Sequence, residues 1–246
     1  MRVLVTGATG FVGGHCLEAL ARTDGVHPIA ACRDPGRLPP GFAGEVRQGD
    51  LLDPAYIKDL CRDVDVIVHA AAWTALWNHK RHSDALFLKP SLDLLQAAKR
   101  GGAGRFVFVS TVSAASPDKA MDPMSPGRKR AYWPHEAIVV AIEDALRRAA
   151  DDRFCAVNMR LGLFAGARYA LGLLPVLAPR LKTHLVPWVA GGRTLMPIID
   201  GRDVGKALAL AATAAVLGGY EGFNAVGPET PSMREVIDYL HRRHGL

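Results

Sequence analysis

The stretch Val3-Leu4-Val5-Thr6-Gly7-Ala8-Thr9-Gly10-Phe11-Val12-Gly13-Gly14 constrains this chain more than any other. Val3 to Thr6 are apolar or β-branched residues suited to a short buried strand, and an amphipathic run follows from Phe11 to about Ala21. The order is strand, tight turn, helix. Gly7 permits the turn, Gly10 lets the main chain approach a ligand with no Cβ in the way, and Gly13 lets the helix pack closely on the strand. The N–H groups of a helix N-terminus then face the gap and suit the pyrophosphate of a dinucleotide. A second strand arriving near residue 29 favours this reading over an ordinary strand-to-helix turn.

The spacing Gly-x-x-Gly-x-x-Gly, with Thr6 ahead of it, resembles the extended short-chain dehydrogenase/reductase family, also called NAD-dependent epimerase/dehydratases. The resemblance implies an α/β fold, a doubly wound parallel sheet (Rossmann fold) with a small C-terminal substrate lobe. It implies a cofactor-binding domain at 1–165 that also takes in about 195–217, and a lobe at 166–246 shorter than the family's usual one. Gly7, Thr9, Gly10, Phe11, Val12 and Gly13 fall at cofactor-binding places. Dimerisation through helices at 83–100 and 134–150 is a further expectation from the family.

Composition narrows the class. A chain of 246 residues, 49% hydrophobic and 22% charged, has the balance of a soluble globular protein and can bury a large core. Residues 1 to 20 carry no basic leader with a cleavable apolar segment, and the alanine-rich run Ala207 to Val216 is too short to span a bilayer. Neither a signal peptide nor a membrane span is expected. Cys16, Cys32, Cys61 and Cys155 lack metal or redox spacing and read as small buried residues in a reducing, cytoplasmic compartment. No metal site is expected. The formal net charge of +6 comes from short clusters such as Arg128-Lys129-Arg130, Arg147-Arg148 and Arg242-Arg243. Without a recognition motif this argues against nucleic acid and for an anionic small molecule.

Further along, Val26 to Cys32 reads as the second strand, ending in Arg33-Asp34-Pro35-Gly36-Arg37. In a dinucleotide fold this strand end faces the adenosine ribose, where a carboxylate suits the free 2′-hydroxyl of NAD and arginine suits a 2′-phosphate. Arg33, with Arg37 as a second fork of donors, points to NADP. Asp34 keeps NAD open. Asp50 and Leu51 match the family's Gly-Asp-Leu element that holds the adenine, and His69-Ala70-Ala71 resembles its His-x-Ala-Ala element beside the cofactor. There His69 caps a buried strand rather than acting as a base. The segment from Trp73 to His82, rich in aromatic and basic residues, is a loop at the ligand-binding edge of the sheet. Pro90 should kink the helix predicted over 83–100.

The resemblance weakens at the catalytic places. Thr111, at the end of the strand Phe106 to Thr111, matches the family's Ser or Thr that polarises the substrate carbonyl. The family's Tyr-x-x-x-Lys reads Tyr132-x-x-x-Glu136, and its structural asparagine falls on Phe87 or Leu88. The lysine normally lowers the tyrosine pKa, a cation at 4 Å being worth about 4 kcal/mol at an effective dielectric of 20. An anion pushes the other way, unless Glu136 simply complements the helix dipole. His135 or a nearby arginine is the candidate to compensate. Leu161 stands where the family has a proline beside the nicotinamide, and Asp203 suits the N-cap of the next helix. Two functions remain open: an NADP-dependent oxidoreductase or epimerase acting on a carbonyl or hydroxyl of a small substrate, and a cofactor-binding protein without turnover.

Overall fold

The computed structural model describes residues 1–73, 80–115, 122–128, 134–166, 179–183 and 189–245. Alternation along the strands decides the architecture. In β1 (Arg2–Thr6), Val3 and Val5 pack into one apolar layer and Leu4 into another; in β5 (Arg105–Thr111), Val107 is divided from Phe106 and Phe108 in the same way. Strands that are apolar on both faces need cover on both faces, which is the condition for a parallel sheet inside helices.

The sheet has seven strands, all paired in parallel, in the order β3 (Glu45–Gln48), β2 (His27–Cys32), β1, β4 (Val66–His69), β5, β6 (Cys155–Leu161), β9 (Tyr220–Ala225). The first six follow the doubly wound dinucleotide order, in which β1 lies at the centre and the connections reverse on either side of it. Leu4, Ile67, Phe106 and Phe108 pack with Ile57 and Leu60 of α2 (Pro54–Leu60), Leu94 of α4 (Lys89–Arg100) and Ile142 and Leu146 of α5 (Pro134–Ala149). On the opposite face Val3, Val5, Val68 and Val157 pack with Leu17 of α1 (Phe11–Leu20) and Leu208 of α6 (Gly201–Thr213). A separate two-stranded parallel sheet joins β7 (Leu163–Ala165) to β8 (Ile198–Asp200), and α7 (Met233–His244) follows β9. All four cysteines are buried and free. Among the described residues no helix is long and apolar enough to cross a membrane.

One local expectation is corrected. Asp203 does not cap α6; Asp200 does, its side chain accepting from Arg202 N–H at 2.8 Å, while Asp203 sits in the first turn and pairs with Lys206. The helix begins early because glycine at its first position fits against α1: a Cβ on Gly201 would lie 2.5 Å from the His15 ring. Near Pro90 the helix is irregular. A short helix α3 (Lys80–Ser83) runs into a π-helical turn, Asp84–Leu88, directly ahead of α4, and Pro90 lies at the start of α4. Proline lacks the N–H that an earlier carbonyl would accept, so the wider turn takes up the mismatch. One residue on, Ser91 Oγ donates to Phe87 O at 2.6 Å.

Candidate active site

The glycine loop leaves β1 with Gly7 at φ +64°, the left-handed region, and Gly10 N–H bonds back to Gly7 O at 2.9 Å. A Cβ on Gly7 would stand 2.7 Å from Ala70 O and Ala71 N; one on Gly13 would stand 2.2 Å from Gly7 O. Loop, helix and the end of β4 are thus in van der Waals contact through glycine main chain, with no room for a larger residue. In α1 an intrahelical bond runs from Gly14 N–H to Gly10 O, so the amides ahead of it open at the end of the helix.

A cavity of about 620 Å³ opens there, at the carboxyl ends of the strands where connections diverge. It brings together Gly7, Thr9, Gly10, Arg33, Arg37, Asp50, Leu51, His69, Ala70 and Ala71, ten residues that the sequence analysis picked out separately. Phe11, Val12, Gly13, Leu161 and Thr111 are not on its wall. Val12 and Gly13 are buried in α1, and Leu161 is buried in the apolar layer shared with α1 and α6. Tyr132 lies outside the described residues, as do 74–79 of the aromatic loop. Trp73 is described: it lines the cavity and stacks on His82, ring centres 6.0 Å apart.

At one end of the cavity, Gln48 Nε2 donates to Arg33 O at 3.0 Å, tying the end of β2 to β3. Leu52 N–H donates to Asp50 Oδ1 at 3.0 Å, so Asp50 shapes its own turn. Tyr56 closes this end. Its hydroxyl donates to Arg47 O at 2.6 Å and its ring lies so close over Gly49 that a Cβ there would be 2.3 Å away. Burial pushes the Tyr56 phenol up to about 12. Sequence reasoning passed over Tyr56, and only its place in the first turn of α2, just after the Asp53 cap, could have marked it.

His69 is held by a directed chain of hydrogen bonds. Ser91 gives its one proton to Phe87 O, so the imidazole Nε2, 2.9 Å from Ser91 Oγ, is the donor of that pair. Nδ1 therefore accepts from Thr6 Oγ1 at 2.7 Å, and Thr6 Oγ1 in turn accepts from Ala71 N–H at 3.3 Å. Burial lowers the ring to about 4, so it is neutral near pH 7. The chain links β1, β4 and the π turn behind the cavity, which is a fastening role rather than a basic one.

The catalytic edge departs from the family pattern in several ways. Thr111 Oγ1 is 3.0 Å from Ser113 Oγ and accepts from Ser113 N–H, capping a short 3₁₀ turn. Phe87 is buried and stacks on His135, with centroids 5.7 Å apart and planes 16° from parallel. Burial lowers the His135 pKa, a hydrogen bond with the Trp73 main chain opposing it. A neutral imidazole cannot supply the charge of the missing lysine. Among the described residues, Arg147 lies over the Tyr220 ring and donates to Met124 O, and Arg160 is paired with Glu143. That last pair is fully buried and bidentate, at 3.0 and 2.6 Å, with Ser110 Oγ donating to Glu143 Oε1 at 2.6 Å. Arg160 also donates to Asp122 O and Ser125 O, fastening the segment 122–128 beside the sheet edge. Glu136 is 1% exposed in the first turn of α5. Among the described residues no group of acidic, histidine or cysteine side chains is arranged to hold a metal.

The sequence model of the NAD dependent epimerase/dehydratase family matches residues 3–241. A ketoreductase of Stigmatella aurantiaca, named for 4-hydroxy-2-methyl-3-oxo-4-farnesyl-3,4-dihydroquinoline-1-oxide, is 28% identical over 220 residues, covering 86% of this chain and 64% of that protein. A dTDP-glucose 4,6-dehydratase of Streptomyces antibioticus is 34% identical over 126 residues, 45% of this chain and 37% of that protein. The matched stretches therefore span less than two thirds of either relative. The fold is similar to that of a UDP-glucose-4-epimerase from Stenotrophomonas maltophila solved with bound NAD and formylated UDP-arabinopyranose, with a TM-score of 0.82 and 19% identity over 100% of this chain and 84% of that one. A fold of this topology and a family match across nearly the whole length lead to one conclusion: the chain belongs to the NAD dependent epimerase/dehydratase family, the extended branch of the short-chain dehydrogenase/reductases.

Proposed function

We propose that this protein is an NADP-dependent oxidoreductase or epimerase-type enzyme acting on a carbonyl or hydroxyl of a small molecule. One observation carries the reading: a single cavity gathers the glycine loop, the Arg33 and Arg37 pair, Asp50 with Leu51, and His69 to Ala71. Those residues fit a dinucleotide. Gly7, Thr9 and Gly10 would hold the pyrophosphate at the helix end, Asp50 and Leu51 the adenine, and the two arginines a 2′-phosphate. When bound, the nicotinamide supplies or accepts a hydride. Thr111 and Tyr132 would polarise the carbonyl and move the proton. With glutamate standing at the family's lysine position, Tyr132 would donate a proton better than it would accept one, which favours carbonyl reduction over alcohol oxidation. One relative is itself named as a ketoreductase, which supports this reading.

A second reading, cofactor binding without turnover, is favoured by Glu136 in the lysine position and by Phe87 or Leu88 in the asparagine position. NADPH oxidation across ketones, aldehydes and nucleotide sugars separates the two. Turnover that disappears in Tyr132→Phe supports the enzyme; tight NADPH binding with no turnover on any substrate supports the alternative. The substrate lobe at 166–246, a cytoplasmic site of action and a homodimer through the helices at 83–100 and 134–150 belong to this proposal. A monomer by light scattering removes the last of these.

A further inference from the structure

Both arginines assigned to a 2′-phosphate line the cavity, and the acid between them does not: Arg33 and Arg37 are on the wall, while Asp34 is absent from it. The carboxylate is occupied in the main chain. Asp34 is the N-cap of a 3₁₀ turn, Pro35–Arg37, and its Oδ1 accepts from Gly36 N–H at 3.0 Å. Arg37 N–H bonds back to Asp34 O at 3.3 Å, and Leu38 N–H to Pro35 O at 3.1 Å, so the turn is closed at both ends. Arg37 is its last residue. Where Arg37 stands relative to Arg33 therefore depends on the turn, and the turn depends on its cap.

We propose that Asp34 is a positioning residue for cofactor choice: it directs the cavity towards a phosphorylated ribose by capping the turn that presents Arg37, and not by touching the ribose. This rests on the NADP reading above. The ordinary expectation for an acid at this strand end is the opposite, a carboxylate on the 2′-hydroxyl of NAD. The geometry separates the two because a side chain bonded to the N–H two residues on is turned along its own chain, whereas the arginines on either side face the cavity. A capped turn also keeps the negative charge away from the place where a phosphate would sit.

Two neutral variants isolate the cap. Asparagine accepts from a turn N–H as aspartate does, and alanine cannot; neither carries charge. Binding of NADPH and of NADH is measured by fluorescence titration for the unaltered protein, Asp34→Asn and Asp34→Ala. We expect Asp34→Asn to hold NADPH at least as tightly as the unaltered protein. Asp34→Ala should bind it about fivefold more weakly than Asp34→Asn, the loss that one cap corresponds to. NADH affinity should not differ between the two variants, since a general loss of structure would lower both cofactors together. Equal NADPH affinity in the two variants overturns the proposal, and so does a loss confined to NADH. Arg33→Ala distinguishes a failure of the underlying reading: if it leaves NADPH affinity unchanged, the phosphate assignment falls, whatever the Asp34 variants do.

Discussion

Single residues carry the tightest constraints at the site. Gly7 combines φ +64° with a neighbour at 2.7 Å on the site of a Cβ, and that neighbour is main chain, which cannot swing aside. Gly7→Ala should cost at least about 2 kcal/mol, since left-handed backbone alone costs 1–2 for a residue with a Cβ. Urea denaturation measures the loss, and nucleotide binding should fall with it. His69 makes a pH prediction whose sign follows from its lowered pKa. The unfolded ring titrates near 6.5 and the folded one near 4, so between these values the unfolded chain holds more protons. The stabilising contribution is complete above about 6.5 and is lost as pH falls towards 4, amounting to about 2 kcal/mol between pH 7 and pH 5. His69→Gln should flatten that slope. An unchanged pH dependence in the variant would mean that the ring is not held neutral.

Elements are placed by what their ends and crossings allow. Helix α6 rejoins the core across α1, where a Cβ on Gly205 would be 2.3 Å from His15 O, and its start is fixed by Asp200. The sequence Asp200-Gly201-Arg202-Asp203 offers two possible caps, and local pattern alone favoured the wrong one. Removing the true cap, Asp200→Ala, should cost about 1 kcal/mol by thermal or chemical denaturation. Asp203→Ala should change stability by less than about 0.5 kcal/mol, because its pairing with Lys206 is exposed. Similar losses in both variants would contradict the observed helix start. At the π turn Asp84–Leu88, Pro90 announced a disturbance, and Ser91 beside it bonds both Phe87 O and His69, a contact across the fold that the sequence did not announce.

At the scale of the whole molecule, the site is a property of strand order. Arg33 follows β2, Gly7 follows β1 and Ala70 follows β4, and these three strands are adjacent at the centre of the sheet although they are widely separated in sequence. A ligand spanning their ends braces the native state against unfolding. NADPH at a hundred times its dissociation constant should add about 2.7 kcal/mol to stability. In a thermal melt the midpoint should rise with NADPH concentration, and rise further than with the same concentration of NADH. No shift with either nucleotide would remove the cofactor from the proposal altogether.

What the amino-acid sequence determined by itself was local or periodic: the strand-turn-helix at residues 3–20, the alternating apolar strands, and the candidate cofactor contacts that each sit at a strand end. These follow from steric rules and burial patterns that act within a few residues. Tertiary structure decided everything that depends on which strand ends and helix faces meet. It made His69 a neutral link between Thr6 and Ser91, left His135 stacked on Phe87 and without a charge to offer, and buried Glu143 against Arg160. Hydrogen-bond partners and burial set protonation and orientation, and those are relations between distant parts of the chain that no short window of sequence contains.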